Sequence, residues 1–223
     1  MRHHRGRCIT ATAFAIKDCT LATLAVGHRV QTLRELRDGI RRVPADSIYH
    51  HFWGALLRPR HFEREYNNDF AAWARRSLHD KRLAERLAVI DPTEFQDLED
   101  LRTEVLDVID ERLDESELIP SASLREQFHF LRSIIVVFDT GLRISAPGEL
   151  AEAVEAMTTG SVFYHFIDAR TRPPLGLDDF RAWLMDAGPE YEPVCARLAG
   201  VDPYFDGLSS LRQRLACVLW ECK

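Results

Sequence analysis

This chain carries an internal echo. "SIYHHF" (Ser47–Phe52) returns as "SVFYHF" (Ser161–Phe166), 114 positions later. At the same offset "GHRVQTLREL" (Gly27–Leu36) falls on "GLRISAPGEL" (Gly141–Leu150). With small length changes, "DFAAW" (Asp69–Trp73) then meets "DFRAW" (Asp179–Trp183), and "RLAVIDP" (Arg86–Pro92) meets "RLAGVDP" (Arg197–Pro203). "LEDLR" (Leu98–Arg102) meets "LSSLR" (Leu208–Arg212). Five blocks in one order read as two copies of a unit of about 100 residues, an ordinary domain size.

The copies span residues 9–113 and 123–223, with the short polar stretch 114–122 as a linker. Copy two opens with "FHFLRSIIVVFDTGLRI", whose β-branched and alternating residues predict a β-hairpin. Copy one opens with weaker strands. In each copy helices follow. "TLRE" (Thr32–Glu35) is a capping-box pattern, and Leu33, Leu36, Ile40 and Val43 fall on one helical face. The fold class is therefore α+β and helix-dominant: a tandem duplication of a hairpin-plus-helices unit. Packed as one globular body, the copies are expected to relate by a pseudo-two-fold axis, by the logic of homodimers.

Charge excludes some partners. The formal net charge is −6, whereas nucleic acid or an anionic membrane calls for a basic face. No apolar run reaches the ~20 residues of a membrane span. The basic start followed by "CITATAFAI" resembles a secretory leader, but Lys17 and Asp18 interrupt it and copy two contains its counterpart, so it reads as structure. The five cysteines form no Cys-x-x-Cys pair, which fits a reducing cytoplasm and gives no zinc set.

Candidate chemistry gathers around the hexapeptide. His51 and His165 are its shared histidines. Near Asp69 and Asp179 they could shuttle protons or hold a metal, although no His-Glu-x-x-His spacing supports a metal site. The alternative fits an apolar-aromatic stretch better: each histidine makes a buried hydrogen bond, while Ser47 and Ser161 cap the start. Asp69 and Asp179 read as helix N-caps, with Trp73 and Trp183 as core. Copy one alone keeps Tyr49 and a loop bearing Arg58, Arg60 and His61, which could meet an anion. Phosphate-loop, dinucleotide and nucleophile-elbow patterns are absent, and no cofactor is indicated.

"SIYHHF", "NNDFAAWARRSL", "LAERLAVIDP" and "LEDLRTEVLDVI" together resemble a family of uncharacterised bacterial and archaeal proteins. That family carries Ser-Ile-Tyr-Tyr-His and Asn-Asp-Phe-Ala-x-Trp motifs. The chain departs from the pattern at His50, where the family has Tyr. The resemblance implies a shared domain and no activity.

Two functional readings follow. The first is a cytoplasmic scaffold without catalysis of its own, binding another protein or regulating an enzyme. The second is a small enzyme or ligand-binding protein with a His-containing cleft between the copies. Missing catalytic motifs and core-like shared residues favour the first; homo-oligomerisation is left open by both.

Overall fold

The computed structural model describes residues 12–57, 65–95, 97–115, 120–173, 176–203 and 207–221. Among them are two strands and ten α-helices. β1 (Phe14–Val30) and β2 (Phe128–Ile144) pair antiparallel as a two-stranded sheet. Between them come α1 (Leu33–Arg42), α2 (Ala45–Trp53), α3 (Asp69–Arg76), α4 (Lys81–Val89) and α5 (Leu98–Asp114). After β2 come α6 (Leu150–Ala156), α7 (Thr159–Val162), α8 (Asp179–Ala187), α9 (Glu192–Ala199) and α10 (Leu208–Trp220). The class is α+β and helix-dominant, as expected.

The hairpins are not formed. "FHFLRSIIVVFDTGLRI" is one strand of 17 residues, and β1 is its equal in length. Each run stays extended through its glycine, Gly27 at φ 80° and Gly141 at φ 77°, and its ladder partner is the other long strand.

The chain forms two compact units. One is Thr20–Val136 and holds α1–α5; the other combines Met1–Cys19 with Val137–Lys223 and holds α6–α10. The unit boundaries fall inside both strands. Each unit's helices thus close on the strand segment that opens the other half of the sequence.

In the α1–α5 unit Leu33, Leu36 and Ile40 bury one face of α1 with Ile48, Phe52, Phe70, Leu83, Val105 and Ile109. α1 begins at the predicted capping box. Thr32 Oγ1 accepts from the Glu35 amide, and Glu35 returns a carboxylate oxygen to the amides of Gln31 and Thr32. Those backbone donors hold the Glu35 carboxyl below its ordinary range. In the α6–α10 unit Leu150, Val154, Val162, Phe163, Phe166, Phe180, Leu198, Leu211 and Leu215 form the core. α7 lies so close to β1 that a Cβ on Gly160 would sit 2.5 Å from the Cys19 carbonyl oxygen.

Candidate functional site

The first hexapeptide lies in α2, which Pro44 starts from an extended N-cap conformation. Ser47 is already inside the helix. Its hydroxyl donates to the Leu131 carbonyl at 2.7 Å and does not cap. Ser161 is likewise internal to α7, where Thr158 Oγ1 is the cap and accepts from the Ser161 amide at 2.9 Å. The capping role expected of both serines is thus corrected: helices start two or more residues earlier than the repeat does. The second hexapeptide then runs through a wider π-helical turn at Phe163–Ile167, a winding that α2 does not share.

His51 and His165 are buried and have the same two partners. Nδ1 of His51 lies 3.0 Å from Asp69 Oδ2, and Nε2 accepts from the Leu131 backbone amide at 3.2 Å. Nδ1 of His165 lies 2.7 Å from Asp179 Oδ2, and Nε2 accepts from the Lys17 amide at 2.9 Å. A backbone N–H only donates. Each Nε2 must therefore offer its lone pair, which leaves the proton on Nδ1 to be given to the carboxylate. Each ring is spent at both ends, tying a strand amide to a helix N-terminus. Leu131 and Lys17 are 114 positions apart, as are the two histidines.

The aspartates are consequently not caps. Asn68 caps α3 through the Ala71 amide at 2.9 Å, and Asp178 caps α8 through the Arg181 amide at 2.9 Å. Asp69 and Asp179 occupy the next position, where the helix N-terminus favours a negative charge. Asp179 also receives Arg172 Nη2 at 3.1 Å, and that guanidinium lies over the Tyr164 ring. Trp73 and Trp183 are buried, and each indole N–H donates to a strand-entry carbonyl: Glu126 at 2.7 Å and Thr12 at 2.7 Å.

Aromatic rings wall both imidazoles. Phe70, Phe128 and Phe130 surround His51, and Phe14, Tyr164 and Phe180 surround His165. Tyr49 stacks on Trp53 with ring centroids 5.0 Å apart. His50 puts Nδ1 2.6 Å from Ser133 Oγ, edge-on to His51. His50, His51 and Asp69 are the one group of potential metal ligands among the described residues, with ligand atoms within 4.8 Å of one another. Ligands held at 2.0–2.1 Å by one tetrahedral zinc sit only roughly 3.4 Å apart. Because both His51 ring nitrogens are already engaged, a metal on this set would displace either Asp69 or the Leu131 amide from the ring. Arg58, Arg60 and His61 lie outside the described residues.

Cys19 follows in the same β1 segment. Its buried Sγ reaches the Gly160 carbonyl at 3.4 Å. Burial, then the charges of Asp168 and Asp18, push its thiol up to about 12 against the opposing pull of Arg172. It is an inert thiol rather than a nucleophile.

Sequence reasoning missed the arginines of the last block. Arg102 Nη1 donates to the carbonyls of Ile40 and Val43, which α1 leaves open at its end. Arg212 Nη1 donates to the Met157 carbonyl beyond α6 at 2.7 Å. The signal was present: Leu-x-x-Leu-Arg is written in both halves, with an arginine where an amphipathic helix needs none.

The sequence profile described as "Family of unknown function (DUF5752)" matches residues 11–220. The chain belongs to that family. Within the family's span lie the His–Asp pairs, both indole anchors and both strands. A solved structure, "The structure of OrfY from Thermoproteus tenax", is similar at 27% identity and a TM-score of 0.81, covering 96% of this chain and 97% of its own. No curated protein sequence matches. No helix among the described residues is long and apolar enough to cross a membrane.

Proposed function

We propose that this DUF5752 protein is a cytoplasmic scaffold, built by duplication of one module, that binds a partner protein and performs no catalysis of its own. The observation that carries this reading is that both ring nitrogens of His51 and of His165 are consumed inside the fold. A general base needs a lone pair within reach of substrate, and a ligand-binding histidine needs a free nitrogen; neither ring has one to offer. Duplication is supported by partners that recur at constant offsets. His–Asp–amide, indole–carbonyl and arginine–carbonyl contacts each appear in both halves of the sequence.

The test begins with His51→Ala and the His51→Ala/His165→Ala pair. Under the scaffold reading each substitution lowers the melting temperature. Under a ligand-site reading melting stays near wild type while ligand or metal binding disappears. A partner copurified from native cells and then reconstituted from purified components would complete the case. The proximity of His50, His51 and Asp69 favours one competing reading, a metal site. Calorimetric titration with zinc decides it: stoichiometric binding abolished by His50→Ala would displace the scaffold reading.

A further inference from the structure

The α6–α10 unit contains a cavity of about 450 Å³. Ile16, Leu142, Ile144, Ala153, Ala156 and Met157 make its apolar lining. That volume is within the range of ligand pockets, and the space opens to solvent past Leu142, with Thr140, Thr158 and Ser161 also in its lining.

The α1–α5 unit shows what such a space accepts. Moving 114 positions back along the sequence, Leu142 becomes His28 and Ala153 becomes Gly39; moving forward, Ile16 becomes Phe130. There the Phe130 ring is fully buried and stacks on His28, with centroids 5.3 Å apart. It occupies the room left by Gly39, whose missing Cβ would lie 2.5 Å from the ring edge. Glycine inside a helix costs about 1 kcal/mol relative to alanine, and the ring is the reason for it here. In the α6–α10 unit all three positions are altered, the ring is gone, and the space remains.

The rim has a charge preference. Glu149 spends its carboxylate on the amides of Ser145 and Ala146. Arg143 is clasped by Asp139 at 2.9 and 2.6 Å, and that guanidinium holds the Asp139 carboxyl down to about 2. Glu152, exposed on α6, has no ion pair among the described residues, and α6 carries no basic residue. Apolar surface continues outward along β2. Leu142 is 61% exposed and Phe138 49% exposed, an extent that suits a chain segment better than a small molecule.

We propose that this cavity is a docking pocket for an aromatic side chain, presented by a partner-protein segment with a Lys or Arg beside it to pair with Glu152. The proposal rests on the partner-binding reading and names the face and chemistry of the contact.

The experiment is a nuclear magnetic resonance titration of the full chain with acetyl-Lys-Phe-Lys-amide and acetyl-Lys-Ala-Lys-amide. The Phe peptide should shift the amides of Leu142, Ala153 and Met157 and bind roughly tenfold or more tighter than the Ala peptide, the scale of burying one aromatic ring. Ile16→Phe with Leu142→His and Ala153→Gly, which rebuilds the filled arrangement, should abolish those shifts. Ala153→Leu, which blocks the space with one change, should do the same if the triple variant folds poorly. Glu152→Lys should weaken the Phe peptide about two- to fivefold, as an exposed ion pair does. Equal binding of both peptides, or wild-type binding by a filled variant, overturns the pocket. Phenethylamine binding as tightly as the Phe peptide overturns the peptide assignment. A reconstituted protein complex indifferent to Ala153→Leu removes the pocket and leaves the scaffold standing. Peptide binding without any protein complex would instead count against the scaffold.

Discussion

The α1–α5 and α6–α10 units hold their strands with the same parts and fill the space behind them differently. In both, an imidazole bridges a strand amide and a carboxylate, an indole anchors the strand entry, and an arginine closes a helix end. These parts all satisfy backbone groups, whose loss when buried costs as much as a hydrogen bond. The differences fall on side chains that pack on side chains: Phe130 against Ile16, Gly39 against Ala153, His28 against Leu142. Backbone-satisfying residues cannot change singly without leaving an unpaired group. Packing residues can change, and where they do a cavity opens. What each unit needs in order to fold is thus distinct from what one unit is free to use.

The largest test of that separation is His51→Ala against His165→Ala. Each removes a buried ring and orphans a strand amide, so each should cost about 3–5 kcal/mol in urea unfolding. A large loss in one and none in the other would break the equivalence. Next comes Gly39→Ala, which drives a methyl into the buried Phe130 ring and should destabilise by about 1–3 kcal/mol. The matching change in the other unit, Ala153→Gly, meets no such ring and should cost only about 1 kcal/mol through helix propensity. Trp73→Phe and Trp183→Phe each delete one indole hydrogen bond and should cost about 1 kcal/mol apiece, seen as equal shifts in melting.

The smallest effect concerns Cys19, which has Ser133 as its counterpart 114 positions on. With its folded pKa raised to about 12, the thiol stays protonated at pH 8.5. Iodoacetamide should therefore spare Cys19 in the folded chain while labelling the exposed Cys217, as peptide mass mapping would show. The sign for stability follows. The contribution of the buried thiol is complete below its ordinary pKa near 9 and is lost as pH rises toward 12. Cys19→Ser should flatten that loss.

Much of this was legible in the sequence because helices announce themselves locally. The Thr32–Glu35 capping box and the Leu33, Leu36, Ile40 face are where periodicity puts them. The strands read locally as a hairpin because alternating, β-branched residues mark a strand but not its partner, and here the partner strand is more than 100 residues away. The aspartates were misread for a related reason. Asn68-Asp69 and Asp178-Asp179 each offer adjacent cap candidates, and the histidine partner that takes up the second of each pair is not marked in the sequence beside it. Arg102 and Arg212 carried a signal in their repetition, but their targets are carbonyls, which no sequence pattern displays.

If His51 and His165 are structural, each ring's proton sits on the nitrogen that faces its carboxylate. Long-range ¹H–¹⁵N correlation spectra of the labelled chain at pH 8, with and without zinc, report which ring nitrogen carries the proton. The geometry predicts the Nδ1–H form for both His51 and His165, unchanged by zinc. An Nε2–H form at either ring, or a shift of His51 to a metal-bound signature, would contradict it.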